Sequence, residues 1–130
     1  MKIMACYDGS NVAEEAVRLA GKHAKAFGAA VVVVTSMAGG PEVTREEFLA
    51  RERELDYAKS ILEDAGIDCE SRFIVRGLDA GPDLVRFAGE NDIKEVVLGV
   101  RRRSKVGKLL FGSTAQYVIL NAPCPVVSVR

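Results

Sequence analysis

The chain has 130 residues, 48% of them hydrophobic and 28% charged, the balance of one ordinary soluble domain rather than a disordered or fibrous segment. It carries no net charge, which argues against a nucleic-acid-binding domain, where a basic excess is expected. No run approaches the ~20 apolar residues of a membrane span, and the start, Met1 to Asp8, meets a carboxylate too early for a signal peptide, so the expected location is the cytoplasm.

A chain of this size buries roughly two-thirds of its unfolded surface and forms a core without staples. The three cysteines, Cys6, Cys69 and Cys124, are widely spaced and lack the C-x-x-C pattern of a zinc or redox pair, so they read as reduced thiols. Cys6, inside an apolar run, reads as a small buried hydrophobe.

In chain order, Lys2 to Tyr7 reads as a strand and Val12 to Phe27 as a helix capped by Ser10 or Asn11, with Val12, Ala13, Ala16, Val17, Ala20, Ala24 and Phe27 on its inner face. Gly28 ends that helix. The continuous run Ala30 to Val34 fits a central strand covered on both faces. After Gly39-Gly40-Pro41, Thr44 and Glu47 form a capping box for a helix to about Ala65, whose inner face is Phe48, Leu55, Ala58, Leu62 and Ala65, with Gly66 as its left-handed stop.

Ile67 to Val75 reads as the third strand, Gly81-Pro82 opens a helix carrying Leu84, Val85 and Ala88, and Glu95 to Leu98 is the fourth strand. Gly112-Ser113-Thr114 opens the last helix, with Val118 and Ile119 inward, and Pro125 to Val129 is a final strand whose prolines favour an edge position. This alternation predicts one α/β domain over residues 1–130: a doubly wound, Rossmann-like, five-stranded parallel sheet of order 3-2-1-4-5 with four helices. His23, the only histidine, reads as a surface or hydrogen-bonded residue.

Two segments break the periodicity where a strand hands over to a helix: Asp8-Gly9-Ser10 after the first strand, and residues 99–114 after the fourth. In this sheet order those strands are neighbours, and the crevice beyond their carboxyl ends is the topological switch point where such sheets bind ligands. Free amides at Gly112, Ser113 and Thr114 are suited to an anion, although a plain helix cap explains the same residues. Gly99 is expected to let the backbone approach a ligand closely. Asp8 is suited to accept hydrogen bonds from a ligand or to hold a metal ion, with capping of the first helix as the alternative.

Gly99, Arg102, Gly112 and Ser113 stand at the spacing of the universal stress protein signature, in which glycine, two residues, glycine and nine residues precede a glycine followed by serine or threonine. Three of the four positions match. Asp8 and the closing Asn121-Ala122-Pro123-Cys124-Pro125-Val126-Val127 also resemble that family, so that the resemblance covers the whole chain. It implies a site for ATP, with Mg2+, in which the base lies near the ends of the first two strands, with Ser36 at the position offering backbone groups to it. The phosphates would lie against Gly99, the loop and the start of the last helix. It also implies a homodimer joined through the C-terminal strand.

Arg102 departs from the signature. Glycine there can take a positive φ and offer its amide to phosphate, whereas arginine either clamps phosphate with its guanidinium or obstructs the loop. The run Arg101, Arg102, Arg103, Lys105 and Lys108 lacks the interleaved aromatics of a nucleic-acid groove. No phosphate-binding G-x-x-x-x-G-K-[ST] loop is present, because Leu109 follows Gly107-Lys108 and Arg102 stands at the first glycine. The expectation is a nucleotide-binding regulatory protein of the stress response rather than an enzyme, slow ATP hydrolysis remaining open. The alternative is a scaffold that uses no nucleotide, since the family includes members without the site.

Overall fold

The computed structural model describes residues 1–100 and 112–130. Among these, strands and helices alternate as β1 (Lys2–Cys6), α1 (Asn11–Phe27), β2 (Ala30–Ser36), α2 (Arg45–Asp64), β3 (Cys69–Ile74), α3 (Ala80–Glu90), β4 (Glu95–Gly99), α4 (Ser113–Asn121) and β5 (Val126–Val129). The five strands form one parallel sheet of order β3-β2-β1-β4-β5, as the sequence predicts.

The valine run shows why the sheet is covered on both faces. Val31 and Val33 point to the layer of α1 and α2, while Val32 and Val34 point to that of α3 and α4. A strand alternates its side chains, so only an unbroken apolar run satisfies two cores at once. Ile3 and Ala5 of β1 join the first core and Met4 the second.

Local chemistry sets the helix ends. Ser10 accepts a hydrogen bond from the Ala13 amide at 3.2 Å, and Thr44 and Glu47 satisfy each other's backbone in a capping box. Gly28 and Gly66 take left-handed conformations at the ends of α1 and α2, with φ of 66° and 73°. His23 is hydrogen-bonded, its Nδ1 lying 2.5 Å from Glu95 and tying α1 to β4.

Three expected inward residues face solvent. Phe27 is 56% exposed because α1 terminates at the next residue, beyond the edge of the core, where its ring tilts against His23. Ala65 is the exposed cap residue of α2. Ile119 is 39% exposed because α4 buries Ala115 and Val118, leaving Ile119 on the flank of the helix. The second strand runs two residues further than predicted, and Thr35 there donates its hydroxyl to the Tyr7 carbonyl at 2.9 Å.

Candidate functional site

A cavity of about 360 Å³ opens beyond the carboxyl ends of β1, β2 and β4, beside the start of α4. Val34, Leu84, Leu98 and Ala115 give it apolar walls, and Asp8, Ser36, Ser113 and Thr114 contribute polar groups. Its size falls in the range of roughly 300–1,000 Å³ of sites that bury a small molecule.

Asp8 organises the turn from β1 into α1. Its Oδ1 accepts from the Ser10 amide at 3.0 Å and from the Ser10 hydroxyl at 2.6 Å, and Ser10 in turn caps α1. The two readings of Asp8, cap and cavity residue, therefore coexist: it supports the cap through Ser10 and also lines the cavity. Gly9 and Ser10 lie in the same turn but not on the cavity wall. Gly9 has φ of 85°, and a Cβ there would come within 2.4 Å of a Glu54 carboxylate oxygen, which makes it a turn glycine.

Ser36, at the end of β2, donates its hydroxyl to Asp83 Oδ2 at 2.7 Å. Asp83 is fully buried although charged, and Arg76 compensates it by donating Nε to Oδ1 at 2.7 Å and Nη2 to the Asp83 carbonyl at 3.2 Å. The same guanidinium reaches Glu90 at 2.6 Å, and this hydrogen bond holds the Glu90 carboxyl below its usual range.

Gly99 lines the cavity, but its want of a side chain answers to the protein itself. A Cβ there would lie 2.8 Å from the backbone of Val12 in the first turn of α1. Gly112 is the N-cap of α4, with φ of −62° and ψ of 155°, and makes no side-chain capping bond. The first amides of a helix lack intrahelical acceptors, so those at the start of α4 face the cavity region as an anion-receptive end. Among the described residues, nothing lies within 4 Å of the position of a Cβ on Gly112. Arg102 lies outside the described residues, as do Arg101, Arg103, Lys105 and Lys108.

The titratable groups on the described wall are Cys6, Tyr7 and Asp8. Burial, with Asp8 and Cys124 adding to it, pushes the Cys6 thiol up to about 12, and burial also raises the Tyr7 phenol. Both keep their protons at neutral pH and serve as wall rather than as nucleophiles. Among the described residues no group of three or more His, Cys, Asp or Glu is arranged to hold a metal. Asp8 is the one carboxylate on the described wall.

Of the site residues expected from the sequence, Asp8, Ser36, Gly99, Gly112, Ser113 and Thr114 line one cavity, Gly9 and Ser10 do not, and Arg102 lies outside the described residues. The apolar walls and the Arg76–Asp83 pair behind Ser36 were not expected. A signal for the pair existed: Asp83 stands four residues before Phe87 on the inward stripe of α3, where a lone charge demands a partner. Arg76, seven residues earlier, is identified only by the tertiary fold.

The model of the universal stress protein family matches residues 1–130. A universal stress protein of Thermus aquaticus is 35% identical over 98% of this chain and 97% of its own length. Among solved structures, a universal stress protein from Archaeoglobus fulgidus superposes with a TM-score of 0.93 at 38% identity, covering 100% of this chain and 98% of that one. A universal stress protein from Archaeoglobus fulgidus in complex with dAMP gives 0.88 at 34% identity, with coverage of 100% and 98%. Signature spacing, sheet order and whole-length similarity agree, and the chain belongs to the universal stress protein family.

Proposed function

We propose that this protein is a cytoplasmic, nucleotide-binding regulator of the stress response that holds ATP with Mg2+ and acts through partners sensing whether its cavity is filled. The observation that carries the reading is the cavity at the switch point, which joins an anion-receptive helix start to an apolar slot walled by Val34 and Leu84. An adenine nucleotide has the same two ends, a flat, largely apolar base and an anionic phosphate group. The dAMP complex of the Archaeoglobus fulgidus protein supports this ligand class.

In this reading the amides and hydroxyls of Ser113 and Thr114 hold the phosphates, and Gly112 leaves them room. Asp8 faces the ligand's polar groups. Because the described wall offers one carboxylate, Mg2+ fits as an ion carried chiefly by phosphate oxygens and water, with Asp8 as its protein-side neighbour. Arg102 either clamps the phosphates or narrows the loop, and comparing Arg102→Ala with Arg102→Gly separates the two. The protein is a homodimer through β5, the edge strand of the sheet.

Mass spectrometry of small molecules released on denaturing the purified protein, before and after incubation with ATP and Mg2+, tests the reading. Retained ATP supports it. Loss of all nucleotide on gel filtration after loading at millimolar concentration favours a scaffold that uses no nucleotide.

A further inference from the structure

The hydroxyl of Ser36 differs from a freely turning serine. Its proton is committed to Asp83 Oδ2 at 2.7 Å, and the other oxygen of that carboxylate is engaged by Arg76 Nε, also at 2.7 Å. Asp83 is fully buried, so turning the Ser36 hydroxyl elsewhere would strand Oδ2 away from water. An arginine only donates and a carboxylate only accepts, so the polarity of the relay is fixed from the guanidinium outward. What the Ser36 hydroxyl presents to the cavity is therefore a pair of acceptor sites and no donor.

Resting on the reading of the cavity as a nucleotide site, we infer that Ser36, held by Asp83 and Arg76, selects bases that offer an exocyclic amine and rejects their 6-oxo counterparts. The placement follows from the sheet. The ends of β2 and β4 flank β1, about 10 Å apart at about 4.8 Å per strand, a separation that a nucleoside bridges. With phosphate at the start of α4, the base reaches the Ser36 end, where Val34, Leu84 and Ala80 cover its faces. The 6-amino group of adenine then donates to the serine oxygen. The 6-oxo group of hypoxanthine or guanine sets acceptor against acceptor, and sites built around one hydrogen bond discriminate strongly against a ligand that cannot make it. Asp83 and Arg76 are positioning residues in this scheme.

Calorimetric titration of the full chain with ATP and with ITP, each with Mg2+, tests the inference. The wild type is expected to bind ATP at least about tenfold more tightly than ITP. Ser36→Ala should bring the two within about threefold by weakening ATP, and Ser36→Thr, which keeps a hydroxyl, should restore the preference. Equal affinities in the wild type, or a preference that survives Ser36→Ala, would overturn the inference while leaving nucleotide binding intact. If removing the ribose 2′-hydroxyl, as in dATP, costs affinity in the wild type but not in Ser36→Ala, the serine meets the sugar and the base assignment fails. Binding of neither triphosphate would overturn the nucleotide reading and this inference with it.

Discussion

Gly99 and Val12 meet backbone to side-chain position: a Cβ on Gly99 would lie 2.8 Å from the Val12 carbonyl carbon, closer than real Cβ contacts allow. A main chain in the first turn of a capped helix cannot retreat as a flexible side chain can. Gly99→Ala should therefore cost about 1–3 kcal/mol, the usual range for overpacking, measured as a lower urea midpoint at unchanged slope. A neutral substitution would show that β4 and α1 separate freely.

The Arg76 ion pairs should differ sharply in worth. Arg76→Ala leaves the fully buried Asp83 with only Ser36 as a side-chain partner, and a loss of about 2 kcal/mol follows from stranding a buried charged group. Glu90, with its side chain 46% exposed, is solvated without its partner, so Glu90→Gln should leave stability nearly unchanged. The direction of its titration fixes the pH window: any contribution is present above the carboxylate range and disappears as pH falls through it. Parallel urea melts at neutral pH compare the two, and equal losses would contradict the burial argument.

Cys6 makes stability depend on alkaline pH. Its thiol is pushed up to about 12 from 9.0, first by burial and then by Asp8 and Cys124. Between those values the unfolded chain releases a proton that the folded chain keeps. The contribution is therefore complete below about pH 9 and is lost as pH rises toward 12, at up to about 1.4 kcal/mol per pH unit. Cys6→Ala should flatten the decline measured from pH 9 to 11. A decline of the same steepness in both proteins would assign it to other groups.

The proposed homodimer has a specific test at the edge strand β5. The Pro125 and Val129 carbonyls accept from Val96 and Val100, so strand alternation turns Val127 toward β4 and leaves the Val126 and Ser128 amides on the outer edge. Light scattering at micromolar concentration should report about twice the 14.0 kDa chain mass. Ser128→Pro should halve it by removing an outward donor while sparing the β4 ladder. A mass that does not change would place the interface elsewhere, and a wild-type monomer would refute the dimer.

Much of this molecule was legible because its decisive signals are local. The Thr44–Glu47 box, the left-handed glycines at 28 and 66, and the two-faced valine run each state their structure within a few residues. What was not legible depends on neighbours distant in sequence. Phe27 and Ile119 have the right periodicity for burial, but Phe27 is the last residue of α1 and Ile119 lies on the flank of α4 beside the buried Ala115 and Val118. Gly99 announces a close approach without saying that its neighbour is Val12 rather than a ligand. The Ser36–Asp83–Arg76 relay joins β2, α3 and the loop between β3 and α3, and periodicity shows only that Asp83 lies on an inward stripe.

Titration of the purified protein with ATP and Mg2+, paired with the same titration of Gly112→Val, tests the nucleotide site most directly. Gly112 has a conformation open to any residue, and among the described residues a Cβ there meets nothing within 4 Å, so the valine should leave the circular dichroism spectrum and melting temperature without ligand unchanged. It places bulk where the reading puts phosphate. The expected result is saturable binding by the wild type, with about 2.7 kcal/mol of added stability at 100 times the dissociation constant, and binding weakened at least about tenfold in the folded variant. No heat and no thermal shift in the wild type at millimolar ATP, or undiminished affinity in Gly112→Val, would contradict it.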